Sequence, residues 1–94
     1  MRALRWLPEA LDDLKRLHAF IEPHSPQAAA RAIGVLLASA ERLTSFPEMG
    51  RPWEADNDFR ELPVRFGTRG YVIRYRLPED RVVIVRVWHA LEQR

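Results

Sequence analysis

FRELPVRFGTRGYVIRYRLPEDRVVIVRVWH, residues 59–89, is the stretch whose reading decides the fold. Side chains on a strand alternate between two faces, so a period of two marks each face directly. In the first run Leu62, Val64 and Phe66 share one face, and Glu61, Pro63 and Arg65 the other. Pro63 has no N–H to donate, which places this run at a sheet edge or a bulge. Residues 67–70, Gly-Thr-Arg-Gly, read as a turn. The second run sets Tyr71, Ile73, Tyr75 and Leu77 against Val72, Arg74 and Arg76. After a second turn at residues 78–81, the third run is apolar on both parities. Val83, Val85 and Val87 fall on one side, and Val82, Ile84, Arg86 and Trp88 on the other. That is the pattern of a central strand. The expectation is an antiparallel meander with one apolar face and a second face gathering Arg65, Arg74, Arg76 and Arg86, with Trp88 beside them.

What precedes the meander reads as cover for its apolar face. Residues 3–7 form a short apolar run that suits a first strand, able to pair on the free side of the third run. Pro8 fits the first position of a helix, and Glu9, Asp12 and Asp13 are favourable charges near a helix N-terminus. Ala10, Leu14, Leu17 and Ile21 recur at helical spacing, and Pro23 ends the helix. Ser25-Pro26 is a cap followed by a first-turn proline. The second helix then presents Ala29, Ala32, Ile33, Leu36, Ala40 and Leu43. A connection of about four residues predicts an antiparallel helix hairpin. Residues 47–58, with Pro47, Gly50 and Pro52 and the acids Glu48, Glu54, Asp56 and Asp58, read as a long loop. The expected fold is α+β: an N-terminal strand and an antiparallel helix hairpin packed on an antiparallel β-sheet, in the order β-α-α-β-β-β, as a single domain over residues 1–94.

The totals restrict the function classes. A chain of 94 residues, 47% hydrophobic and 30% charged, supports one small globular core. No run approaches the ~18 apolar residues of a membrane span, and the N-terminus lacks a signal-peptide core, so a cytoplasmic protein without membrane contact is expected. The chain has no cysteine, which removes thiolate chemistry and cysteine-ligated zinc. Its three histidines are not at metal-ligand spacing, and no HExxH, P-loop or GxGxxG motif occurs, so neither metal nor cofactor is expected. The net charge is +2, but the bases are nearly all arginine, with Lys15 the one lysine. Arginine pairs bidentately with phosphate and carboxylate and stacks on aromatic rings. Four arginines on one face therefore call either for cross-strand acids such as Glu61 and Glu79 or for an anionic partner. Trp88 adds a stacking or cation–π surface. His89, at the end of the third run, is a candidate acid–base group, against a structural role at a strand end.

The ordered set of motifs resembles the RelE/ParE superfamily of toxins from bacterial type II toxin–antitoxin pairs. The resemblance is carried by Trp6-Leu7-Pro8-Glu9-Ala10 leading into Asp13-Leu14, Ser25-Pro26 with Ala28-Ala29, and Pro47-Glu48-Met49-Gly50-Arg51-Pro52. It continues through Arg60-Glu61-Leu62, Tyr71-Val72-Ile73-Arg74-Tyr75 and Val83 to His89. It implies a β-α-α-then-sheet fold and a cognate antitoxin that wraps and neutralises the toxin in a hetero-oligomer. Two activities occur in the superfamily: messenger-RNA cleavage on the ribosome, and poisoning of DNA gyrase. His89 matches a histidine of some ribonuclease members, and Arg60 is common to both branches. Ala90 stands where those ribonucleases often carry a tyrosine, and Val72 where they carry a sheet arginine. Exchange of a guanidinium for an isopropyl group removes a phosphate clamp. The resemblance therefore favours the gyrase-directed, ParE-like branch, with ribosome-dependent RNA cleavage as the alternative. It implies Arg65, Arg74, Arg76, Arg86 and Trp88 as the target- or antitoxin-binding face, and favours no catalytic residue over the weak candidates His89 and Arg60.

Overall fold

A computed structural model describes residues 1–92, and for Asn57 the backbone only. Its elements are β1 (Ala3–Trp6), α1 (Pro8–Ile21), α2 (Pro26–Arg42), β2 (Arg51–Trp53), β3 (Asp56–Val64), β4 (Tyr71–Arg76) and β5 (Arg81–His89). The strands form one sheet in the spatial order β1-β5-β4-β3-β2. The α+β class, the first strand, the helix hairpin and the three-stranded meander all stand as expected. Two features differ. The sheet is mixed, because β1 runs parallel to β5 while the other neighbours are antiparallel. A parallel neighbour needs a long crossover, and here the hairpin and meander together supply it. The second difference is in the expected loop 47–58, which holds the start of β3 at Asp56 and, before it, the whole of β2. β2 has three residues, contains Pro52, and breaks register between Pro52 and Trp53. Nothing in so short and irregular a strand alternates.

Both helices start where their prolines predict. Pro8 opens α1 behind Leu7, whose side chain makes no cap bond, whereas the Ser25 hydroxyl accepts the Ala28 N–H at 3.1 Å to cap α2. Ala10, Leu14 and Leu17 of α1 and Ala29, Ala32, Leu36 and Ala40 of α2 are buried. All of these except Ala29 share one core with Leu62, Val64, Tyr71, Ile73, Tyr75, Val82, Ile84 and Val87 of the sheet.

Pro63 pairs with Val72 and lies past the reach of β2, which meets β3 only between Asp56 and Glu61. At that point β3 is an edge, and the missing donor costs nothing. β5 is central, between β1 and β4, as its two-sided apolar character requires. The parity expected along it fails at one place. Arg74 pairs with Arg86 but Tyr75 pairs with Ile84, leaving Val85 as an extra, bulged residue. The bulge puts Val82 and Ile84 on the core face with Val87, whereas strict alternation had set them on the face of Arg86 and Trp88.

Candidate functional site

The open face of the sheet is built by register. Glu61 lies opposite Arg74, which lies opposite Arg86. Glu61 is buried and accepts from Arg74 Nε at 3.0 Å and Nη2 at 2.7 Å. The same guanidinium sits 3.8 Å from the ring centroid of Trp53 and 4.8 Å from that of Trp88. Arg86 flanks Trp88 in turn, 5.1 Å from its ring. Trp53, Arg74, Trp88 and Arg86 thus alternate ring and cation across three strands, with stacking and cation–π attraction between neighbours. Of the expected face, Arg74, Arg86 and Trp88 come together. Arg76 is exposed and lies over Phe59, its Cζ 5.6 Å from the ring centroid. Arg65 is exposed just beyond the end of β3.

Arg86 has a carboxylate of its own, and it comes from the helix hairpin. β1 stops at Trp6, and the Leu7 N–H makes the last ladder bond to the Ile84 carbonyl at 3.0 Å. Beyond that point β5 has no strand on this side among the described residues, and α1 takes its place. Asp13 accepts the Val87 N–H at 2.8 Å, and Arg16 Nη2 donates to the Val87 carbonyl at 3.2 Å. Two side chains one helical turn apart therefore satisfy the backbone groups that a neighbouring strand would have used. Asp13 also receives Arg86 Nε at 2.7 Å and Nη2 at 3.1 Å, while Arg16 Nη1 reaches both Glu92 oxygens, at 2.7 and 2.8 Å. Burial alone would raise the Asp13 pKa. The Arg86 guanidinium, the Val87 N–H and Arg16 outweigh it and hold this carboxyl below the usual carboxylate range. Arg86 is shifted upward, chiefly by its bond to Asp13. Burial likewise works against the Arg16 charge, but Glu92 and Asp13 more than offset it, and its pKa is raised.

The two catalytic candidates point elsewhere. Arg60 shares the face of Tyr75, its register partner, and donates to the Gly50 carbonyl at 2.7 Å. Tyr75 Oη donates to the Pro47 carbonyl at 2.7 Å and accepts the Gly50 N–H at 2.9 Å. Arg60 and Tyr75 together pin the Pro47–Gly50 loop. Only glycine fits at position 50, where a Cβ would lie 2.6 Å from Tyr75 Oη. His89 lies opposite Tyr71, ring centroids 5.6 Å apart edge to face, and its Nδ1 accepts the Leu91 N–H at 3.2 Å. It therefore faces the helix side, whereas its neighbour Trp88 faces the arginine row. His89 lines a groove of about 620 Å³ with Leu17, Phe20, Ile21, Phe66 and Tyr71.

Asp13 is the residue that sequence reading undervalued. It read as a favourable helix N-terminal charge, yet it sits between Ala10 and Leu14 on the buried stripe. An acid in that stripe was the available signal of a buried partner. Among the described residues no group of histidines and carboxylates is placed to hold a metal ion. No helix among them is long and apolar enough to cross a membrane.

Comparison with known proteins gives a consistent relationship. A model of the family described as the ParE toxin of the type II toxin–antitoxin system parDE matches residues 4–94. The chain is 40% identical to Toxin RelE3 of Caulobacter vibrioides over 94 residues, covering all of both chains. It is 42% identical to Toxin RelE1 of the same organism over 82 residues, which is 87% of this chain and 86% of that one. Among solved structures, a chain of the chromosomal ParDE toxin–antitoxin system from P. aeruginosa superposes with a TM-score of 0.79 at 20% identity, covering 96% of this chain and 97% of that one. A chain of the RelBE2 toxin–antitoxin complex from Mycobacterium tuberculosis gives a TM-score of 0.69 at 25% identity, covering 94% and 96%. The chain belongs to the ParE toxin family, within the RelE/ParE superfamily of type II toxin–antitoxin toxins.

Proposed function

We propose that this toxin acts by binding and inhibiting DNA gyrase, and that a cognate antitoxin neutralises it. The observation that carries this reading is the state of the arginine row. Arg74 and Arg86, the two guanidiniums at its centre, are each paired with a buried carboxylate, Glu61 and Asp13. An RNA phosphate would have to displace those carboxylates to be clamped. His89 faces the opposite side of the sheet, so an acid–base group and the row do not converge on one reacting atom. In this reading Arg65 and Arg76 reach the target, and Trp88 with Arg74 and Arg86 shapes the surface between them.

The relatives named RelE favour a second reading, a ribosome-dependent messenger-RNA endoribonuclease. His89 would then be the acid–base group, with Arg60, Arg65, Arg74 and Arg86 on phosphates, and the ion pairs with Glu61 and Asp13 would have to open. Induced expression in cells separates the two. Gyrase-linked DNA breaks with an SOS response, and messages left intact, are expected. Rapid translation arrest with codon-positioned message cuts and no DNA damage would replace the first reading by the second.

A further inference from the structure

We infer that Arg5, Arg76 and Arg81 form a site for the phosphates of duplex DNA, through which the toxin grips the DNA that gyrase is handling. This rests on the gyrase reading above and adds a second ligand to it. The site follows from register. Arg5 of β1 and Arg76 of β4 both pair with Val83 of β5, from opposite sides. Arg81 precedes Val83 by two residues and shares its face. Val82 and Ile84 turn into the core, so Val83 turns to the open face, yet it is only 8% exposed. The residues that flank it there include the three arginines, whose stems can lie along it while their guanidiniums stay in water.

These charges are unspent. Arg74 and Arg86, in the neighbouring row, are each held by a carboxylate, whereas none of Arg5, Arg76 and Arg81 has an ion pair among the described residues. Arg5 and Arg76 are exposed and Arg81 is half-buried. Arg2 adds a fourth guanidinium at this end, donating to the Glu79 and Arg81 carbonyls at 2.7 and 3.4 Å. The nearby acids lie off the row. Asp58 has the opposite parity from Phe59, and Glu79 and Asp80 sit in the turn before β5. Two inter-strand steps put the backbones of Arg5 and Arg76 about 10 Å apart, a span of two or three phosphates at about 3.4 Å of helix axis each.

What the face lacks selects the ligand. Among the described residues, none of the exposed large apolar side chains lies on a strand, so a protein segment finds no anchor at this patch. The rings of the face are taken: Trp53 and Trp88 flank Arg74, and Phe59 lies under Arg76. Unpaired bases therefore find no stacking platform. Charge without anchors or free rings suits a duplex backbone, held by phosphate contacts that carry no sequence. Arg76 then meets the target through its DNA, and Arg65 is left for the protein.

The test uses purified full-length wild type, Arg5→Gln, Arg76→Gln and Arg81→Gln, with Arg31→Gln on the exposed side of α2 as control. Thermal melts verify folding. Binding to a short fluorescein-labelled duplex of arbitrary sequence is read by anisotropy across a salt series, and inhibition of gyrase supercoiling is read beside it. Wild type and Arg31→Gln should bind the duplex more weakly as salt rises, with a log–log slope of about −3 for three phosphates. Each face variant should weaken binding severalfold and flatten that slope by about one. Each should also raise the toxin concentration needed for half inhibition of gyrase. A duplex left unbound, or bound equally by wild type and folded face variants, overturns the site, and the gyrase reading stands if wild type still inhibits. Arginine-dependent binding of poly-glutamate in place of the duplex would reassign the patch to an acidic protein segment. Face variants that lose the duplex but inhibit gyrase as wild type does would sever the site from gyrase. Wild type that binds the duplex and leaves gyrase untouched would sink the gyrase reading and keep only the DNA site.

Discussion

Arg86 and Arg69 show how little an arginine's presence says until its surroundings are known. Arg86 lies in a row of cations that invites an anion, yet it is held by the buried carboxylate of Asp13. Arg69 lies in a turn with nothing in the sequence to mark it, yet it stands over an apolar groove with no ion pair among the described residues. The centre of the open face, at Arg74 and Arg86, is electrostatically closed on itself, and the groove end is not. A basic surface is a binding surface only where its charge has not already been spent.

The strongest challenge to that contrast is removal of Asp13. Asp13→Ala leaves the Val87 N–H without its acceptor and Arg86 without its carboxylate, while Arg16 keeps Glu92. A cost of about 2–4 kcal/mol is expected in urea unfolding, below the upper range for broken buried pairs because Arg86 and Arg16 remain two-fifths exposed and can hydrate. The same residue gives a pH signature. Its folded pKa is depressed, so its contribution is complete above the unfolded value near 4 and is lost as pH falls through the folded one. The stability gap between wild type and Asp13→Asn should therefore be constant near neutrality and close progressively below about pH 4.

Glu61→Ala should cost about 1–3 kcal/mol, because Arg74 is left mostly buried between two indole rings without its carboxylate. Trp53→Ala removes one side of that stack and should cost about 1 kcal/mol, with Trp88 fluorescence reporting the altered surroundings of Arg74. At the other pole, Arg69→Gln should change stability by no more than about 0.5 kcal/mol in the same unfolding assay. If Asp13→Ala and Glu61→Ala prove as mild as Arg69→Gln, the open-face arginines are solvated and the contrast disappears.

Much of the fold was legible because its signals are local. Period-two alternation located β3 and β4, the Ala10–Leu14–Leu17 stripe located α1, and Ser25-Pro26 located the start of α2. The bulge at Val85 was not legible, since valines at 82, 83, 85 and 87 look alike on either parity. Neither was β2, three residues long and interrupted by proline. For the candidate site, the arginine row and Trp88 could be placed on one face from alternation, and Glu61 was a candidate partner by cross-strand position. Asp13 was not, because its partner Arg86 is 73 residues away and their meeting depends on where β1 ends. The core facing of Val82 and Ile84 was hidden, because alternation counted back from Arg86 and Trp88 had set them on the open face. A single bulge between Arg74 and Tyr75 of β4, opposite Val85, sets the facing of everything that follows in β5.

An arginine row neutralised at its centre, with His89 on the far side of the sheet, suits binding and not RNA cleavage. This is tested most directly with purified wild type and His89→Ala on gyrase and on a translating extract. Wild type and variant should inhibit gyrase supercoiling to the same extent and leave the message whole. Gyrase unaffected by either protein, with message cutting by wild type that His89→Ala abolishes, would contradict it.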